Sequence, residues 1–243
     1  MGRIAIRAED VAKRLGTTEA LRGVSTTFAP ARLHGLIGPD GAGKTTFLRV
    51  ATGLLHPDRG AVHVEEDGRA THLDAVRERI AYMPQQQSLY PDLSVGEHLE
   101  FFRDVYGIPA GVYHERRAKL LAMTRMTPFQ ERPAAKLSGG MYKKLGLMCA
   151  LMQSPDALLL DEPTNGVDPI SRREFWELLY GLIRQGILVV VATAYMDEAE
   201  RCNRVHVFHA GRVIADGEPR RLLAEAGAAS FEEYFIRREG EAA

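Results

Sequence analysis

Gly38-Pro-Asp-Gly-Ala-Gly-Lys-Thr-Thr46 lies directly after the strand-like run Arg32–Ile37 and opens into Thr45–Ala51, a segment of helical composition that stops at Gly53. A strand, a turn with the spacing G-x-x-x-x-G-K-[ST] and a helix start, in that order, are the setting in which this pattern carries meaning. Gly38, Gly41 and Gly43 let successive backbone N–H groups turn inward around phosphate oxygens with no side chain in the way. Pro39, Asp40 and Ala42 complete the loop, and the helix that follows adds its positive N-terminal end. Lys44 can reach the β- and γ-phosphates of a nucleotide, and the hydroxyl of Thr45, with Thr46 beside it, can ligate Mg²⁺. A glycine-rich turn with a chance lysine is the bland alternative, and the flanking strand and helix weigh against it.

Farther along, Ala157-Leu-Leu-Leu-Asp-Glu-Pro163 reads as an apolar strand ending in two acids. Burying charge is costly without a partner, so acids at the end of a core strand need a reason. Magnesium supplies one: Asp161 can hold the ion through water, opposite Thr45. Pro163 is expected to keep Glu162 extended and aim its carboxylate out of the sheet edge. There Glu162 could polarise a water for attack on the γ-phosphate. An acidic turn cap after a strand is the plainer reading, and it weakens once the glycine loop is present.

The rest of the chain fits one large α/β domain. Strands are expected at Ile4–Arg7, Val24–Phe28, Ala61–Val64, Ile80–Met83 and 187–192, and helices at Met141–Gln153 and 171–185. A hairpin of Val205–Phe208 and Val213–Ala215 should turn at Ala210–Gly211. Strands spaced by helices imply a mainly parallel sheet with ligands at its C-terminal edge. Ser94-Val-Gly-Glu97 is a capping-box pattern, followed by Val95, Leu99, Phe102 and Tyr106 at helical spacing. With a second helix at His114–Met126, residues 86–136 read as an all-helical insert, and the charged tail, about 228–243, as peripheral. The apolar face around Phe101 and Phe102 is a candidate docking groove, with core packing the plainer reading at each residue.

Composition narrows the function classes. The chain has 243 residues, 45% hydrophobic and 26% charged, so wholesale disorder is not expected. A formal net charge of −1 carries none of the basic surplus of a general nucleic-acid binder, and no nucleic-acid partner is expected. Cys149 and Cys202 lack metal-ligand spacing and fit a reducing compartment. Met1–Asp10 lacks the layout of a secretory signal, and Ile6 breaks the myristoylation pattern that Gly2 would begin. The longest apolar stretches, Ala157–Leu160 and 187–194, are too short to span a bilayer.

Between the glycine loop and the acidic strand lies Leu137-Ser-Gly-Gly140, just before a buried helix. It resembles the signature sequence of ABC ATPases, and the resemblance runs from about Ala8 to Pro219. It takes in Tyr82-Met-Pro-Gln85 as the Q-loop, Asn165-Gly-Val-Asp168 as the D-loop, and Tyr195-Met-Asp-Glu-Ala-Glu-Arg201 after the last core strand. Gly35–Lys44, Leu137–Met141 and Asp168–Arg173 look most like the bacterial ABC-2-type exporter ATPases, in particular the first nucleotide-binding half of members carrying two. The implied fold is a P-loop NTPase of the ABC ATPase type, with a helical subdomain and a small antiparallel β part.

The resemblance implies an ATPase that powers export through a separate transmembrane permease subunit, seated at the cytoplasmic face of the inner membrane. It implies head-to-tail pairing with a second ABC ATPase domain, as homodimer or heterodimer. Ser138, Gly139 and Gly140 would then bind the partner's γ-phosphate, with Asp168 close by at the shared nucleotide site. Gln85 would touch Mg²⁺ or the attacking water. Three positions depart from the pattern: Ala194 where the family carries a histidine, Met141 where it carries glutamine, and Leu15 where it stacks an aromatic on adenine. Losing one preorganised donor commonly costs ~10²–10³ in rate, so slow hydrolysis is expected. A regulatory nucleotide-binding module with negligible turnover is the alternative. A ribosome- or chromosome-acting ATPase fits poorly, because there is one ATPase domain and no heptad run.

Overall fold

The computed structural model describes residues 3–86 and 89–242. Met1, Gly2, Gln87, Ser88 and Ala243 lie outside them, and with them the reading of Gly2 and parts of the ranges given for the insert and the tail. The described residues form two sheets. An antiparallel sheet has the order β2-β1-β4-β5, from β1 (Ile4–Leu15), β2 (Thr18–Phe28), β4 (Arg59–Glu66) and β5 (Arg69–Thr71). A larger sheet has the order β10-β9-β3-β8-β7-β6, from β3 (Leu33–Ile37), β6 (Ile80–Met83), β7 (Ala157–Asp161), β8 (Leu188–Thr193), β9 (Arg204–His209) and β10 (Arg212–Gly217). Strands β9, β3, β8, β7 and β6 run parallel, and only β10 reverses.

Burial explains the parallel core. Every residue of β3, β7 and β8 is buried, as expected of strands covered on both faces. One side packs against α1 (Lys44–Ala51) and the antiparallel sheet, through Phe28, Phe47, Leu48 and Val64. The other packs against α5 (Gly139–Leu151) and α6 (Pro169–Arg184), through Leu145, Met148, Phe175 and Trp176. A short α2 (Leu73–Val76) leads toward β6.

The described part of the insert holds α3 (Val95–Val105) and α4 (Ala110–Thr124), with short 3-10 turns after them. Ser94 caps α3 as its sequence promised: the Ser94 N–H donates to Glu97 Oε2 at 2.7 Å and the Glu97 N–H to Ser94 Oγ at 3.2 Å. Val95 and Leu99 are fully buried and Phe102 and Tyr106 pack beside them, so this stripe is core. Phe101 remains exposed, edge-on to Tyr90.

The tail differs from expectation. It forms α7 (Pro219–Ala226) and α8 (Phe231–Ala242), and α8 buries Phe231, Tyr234 and Phe235 in the same core as Trp176. These aromatics fall at i, i+3 and i+4, one face of a helix, and the charges between them stay on the outer side. Among the described residues, no helix is long and apolar enough to cross a membrane.

Candidate functional site: the glycine loop and the acids beneath it

Strand β3 delivers Gly38 to the C-terminal edge of the parallel sheet, between β8 and β9. Two glycines there are obligatory. A Cβ on Gly38 would stand 2.2 Å from the Phe208 carbonyl oxygen. Gly43 caps α1 at φ 104, where a Cβ would stand 2.6 Å from the Ala20 carbonyl oxygen. The hairpin braces the loop from outside: the Gly211 N–H donates to Ala42 O at 3.0 Å, and the Arg22 N–H to Gly211 O at 2.8 Å.

Lys44 is buried and folds back over its own loop, donating from Nζ to Gly38 O at 2.7 Å and Pro39 O at 3.1 Å. Its ammonium also lies 3.6 Å from Glu162 Oε1. Asp161 ends β7 fully buried, with Oδ1 accepting from Thr45 Oγ1 at 3.0 Å and Oδ2 from the Tyr82 hydroxyl at 3.1 Å. Burial raises the proton affinity of Asp161 above the ordinary carboxylate range, against the pull of the Thr45 and Tyr82 hydrogen bonds. Glu162 shifts the same way for the same reason, opposed first by the Lys44 charge.

Glu162 is not extended, contrary to the expectation from Pro163. Its φ is 47, in the left-handed region, and its N–H donates to Ala192 O at 2.9 Å. The chain leaves β7 by turning at once, with the Asn165 N–H closing back on Glu162 O at 3.2 Å. The turn is what places the Glu162 side chain beside Lys44. A backbone so far from the usual pre-proline region has to be held by its surroundings.

The loop from Asp40 to Thr46, Gln85 and Glu162 line one cleft of about 470 Å³, with Thr18–Ala20, Arg22, Ala210 and Gly211 on its outer wall. Gly38, Pro39 and the fully buried Asp161, bonded to Thr45, lie behind that lining. Its composition suits a polyanion with a divalent cation: backbone donors, one buried ammonium, and hydroxyl and carboxylate oxygens facing each other. Leu15 does not line it, and stands 44% exposed at the end of β1.

The remaining expected residues lie apart. Ser138 caps α5, accepting from the Met141 N–H at 3.3 Å, and Ser138 and Gly139 are exposed. Gly140 packs so closely on α6 that a Cβ would meet Ser171 Cβ at 2.5 Å. Asp168 caps α6, accepting from the Ile170 and Ser171 N–H groups at 3.1 and 2.9 Å. Those bonds hold its carboxyl below the usual range. Ser138, Gly139 and Asp168 are exposed, Gly140 is buried behind them, and none of the four lines the cleft.

Several residues escaped the sequence reading. Tyr82 sits inside the quoted Q-loop run, but its bond to Asp161 depends on β6 lying next to β7. Glu198, fully buried, gathers Thr164, Arg172 and Trp176 around one oxygen and so ties the segment after β8 to α6. Lys143 donates to backbone carbonyls of both Gln85 and Glu162. A lysine within a helix following the signature offered no sequence signal of either contact.

Comparison with known proteins agrees with this geometry. The ABC transporter family model matches residues 21–165. The chain is 42% identical over 212 residues to the probable multidrug ABC transporter ATP-binding protein YbhF of Escherichia coli, covering 87% of this chain but 37% of that protein. It is 38% identical over 227 residues to the Nod factor export ATP-binding protein I of Burkholderia lata, covering 93% of this chain and 75% of that one. A solved structure described as the ATP binding subunit of an ABC transporter superposes with a TM-score of 0.81 at 28% identity, over 96% of this chain and 98% of that one. Fold, site and relatives agree: the chain belongs to the ABC transporter family, as one of its ATP-binding subunits.

Proposed function

We propose that this chain binds MgATP in the glycine-loop cleft and hydrolyses it to drive export through a separate transmembrane subunit. The observation that carries the reading is the convergence of Lys44 and Thr45 with Asp161 and Glu162 from two distant stretches of sequence, with 3.0 Å and 3.6 Å between their paired atoms. Export, rather than uptake, is supported by the likeness to the Nod factor export ATP-binding protein I.

The roles follow from position. N–H groups of Gly41, Ala42, Gly43 and Lys44, with Thr45 and Thr46 at the helix start, cradle the phosphates between Gly38, Pro39 and Asp40. Lys44, held on two carbonyls, is poised to exchange them for β- and γ-phosphate oxygens. Thr45 and Asp161, with Gln85 from the cleft rim, would hold the magnesium ion. Two oxygen ligands already in contact at the end of a buried strand fit a hard cation. Bound there, magnesium would neutralise charge on the phosphate oxygens. Glu162 holds the attacking water and takes up its proton, and its raised proton affinity favours that task.

Ser138 and Gly139 are exposed outside this cleft, as is Asp168, with Gly140 buried behind them against α6. That supports a complete site shared by two ATPase domains head to tail, each supplying its signature to the other's γ-phosphate. The assembly sits peripherally at the inner face of the membrane, the helical subdomain meeting the permease. A binding-only module gains no support from a site with Glu162 in place.

The decisive experiment is Glu162→Gln in the chain purified with its membrane partner. Nucleotide affinity should persist while turnover disappears. Turnover equal to wild type would remove Glu162 from the chemistry. Pull-down of the native complex from its own membranes, with a permease and a second ATPase domain among its components, checks the assembly.

A further inference from the structure

The cleft needs two elements aimed at one point: the segment just past β6, carrying Gln85, and the turn after β7, carrying Glu162. Neither is a rigid helix, and the turn at Glu162 has φ 47. One side chain reaches both. Lys143 Nζ donates to Gln85 O at 3.2 Å and to Glu162 O at 3.4 Å. It is half-buried, and burial lowers its pKa, with the Glu162 and Asp161 charges opposing that shift. An ammonium in such a setting is committed to the acceptors it has.

Resting on the reading above, we propose that Lys143 is a positioning residue for hydrolysis, pinning the Gln85 and Glu162 backbones together so that both side chains address the same water. Lys143 lies five residues past Ser138, the residue that caps α5, on the same rigid helix. Movement of the signature end of α5 is therefore carried to the Glu162 turn through one side chain. A partner domain that engages Ser138 would set the aim of a carboxylate it never touches. A wrongly aimed group costs rate, whereas binding of the triphosphate, made by the glycine loop, is left intact.

The test compares Lys143→Met and Lys143→Arg with wild type, in complex with the membrane partner. Lys143→Met should lower kcat on the order of 10- to 100-fold with KM for ATP within about twofold. Lys143→Arg, which can still donate to two carbonyls, should recover most of the loss. A kcat for Lys143→Met within about twofold of wild type, or a loss that falls on KM instead, overturns the proposal. Amide hydrogen exchange of 160–165 in the nucleotide-free chain gives a readout independent of turnover. It should quicken in Lys143→Met and stay unchanged in Lys119→Met, a surface control on α4 bonded to Gln185. Unchanged exchange at 160–165 sinks the clamp even where the chain hydrolyses nothing, while faster exchange with no wild-type turnover counts against the hydrolytic reading instead.

Discussion

Tyr82 donates its phenolic proton to Oδ2 of Asp161 across 3.1 Å, on the side of the carboxylate away from Thr45. Burial, reinforced by the Asp161 charge, pushes the Tyr82 phenol up to about 12, so it remains a donor at any working pH. Asp161 is thereby held by a hydroxyl on each oxygen before any nucleotide arrives. Tyr82→Phe should cost the nucleotide-free chain about 1.5–3 kcal/mol, the range for a lost hydrogen bond to a charged group. Urea unfolding at pH 7 measures it, and a loss under about 0.5 kcal/mol would show that Asp161 does not depend on this bond.

How far the sequence foretold this arrangement depends on the distance over which the cause acts. Strands β3, β6, β7 and β8 were legible because each is a short apolar run between turn residues, and the glycine loop because its chemistry is local. Strand β1 was read as four residues and runs for twelve. Its alternation slips where Asp10 takes φ 47 and the pairing register shifts, so Ile4, Ile6 and Ala8 are buried in step but Val11 falls out of it. The Tyr82–Asp161 bond was illegible for another reason. Tyr82 pairs with Leu159, two residues before Asp161 on the same face, and only the sheet order makes them neighbours. In the tail, the charges of Glu232, Glu233 and Arg237 masked an aromatic stripe whose helical spacing was plain.

Glu162 carries a stability cost of the kind its proposed role as the base would bring. Its proton is held more tightly in the fold than in the unfolded chain, where the ordinary value is 4.5. The stability linked to that proton is complete below the unfolded value and is lost as pH rises through the higher folded one. At pH 7 the fold therefore carries a buried charge that it would be more stable without. Glu162→Gln should raise the thermal midpoint of the nucleotide-free chain at pH 7, each kcal/mol of relieved cost being worth about 2–4 °C in a chain this size. The gain should shrink as pH is lowered toward 4.5. A midpoint unchanged or lowered at pH 7 contradicts the assignment.

A second pH effect has the opposite sign and arises far from the cleft. His34 and His206 are fully buried and joined by a 3.0 Å bond between His34 Nδ1 and His206 Nε2. His34 Nε2 also bonds Ala29 O, and His206 Nδ1 bonds Thr26 Oγ1, with Asp216 and Arg204 nearby on β10 and β9. Burial, with the His206 neighbour adding to it, lowers the His34 pKa from 6.5 to about 3. A base with a depressed folded pKa gives stability that is present above 6.5 and lost as pH falls toward 3. Between pH 7 and pH 5 that loss is about 2 kcal/mol, at roughly 1.4 kcal/mol per pH unit below the unfolded value. His34→Gln keeps a donor for Ala29 and an acceptor for His206 but does not titrate. Urea unfolding at the two pH values should show the wild type losing about 2 kcal/mol more than this variant. Equal losses would mean that His34 is not held neutral.

Ala194 sits just beyond β8, where its backbone N–H bonds the Glu162 carboxylate but its side chain offers nothing to a phosphate. The position is half-buried, followed by Tyr195, whose hydroxyl reaches Asn165 Oδ1 at 3.3 Å and whose ring lies under the Arg172 guanidinium. The segment is thus anchored on both sides of a residue that is itself too short to act. A histidine there would add a donor aimed at charge that develops only during transfer, the kind of contact that raises kcat rather than affinity. Ala194→His should therefore speed turnover in the assembled complex by about tenfold or more, short of the ~10²–10³ seen when an evolved donor is removed. ATP affinity should stay within about twofold, since ground-state contacts come from the glycine loop. Single-turnover hydrolysis with excess protein is the measurement that isolates the chemical step. A rate in Ala194→His no faster than wild type would mean that the second ATPase domain, and not this position, limits the reaction.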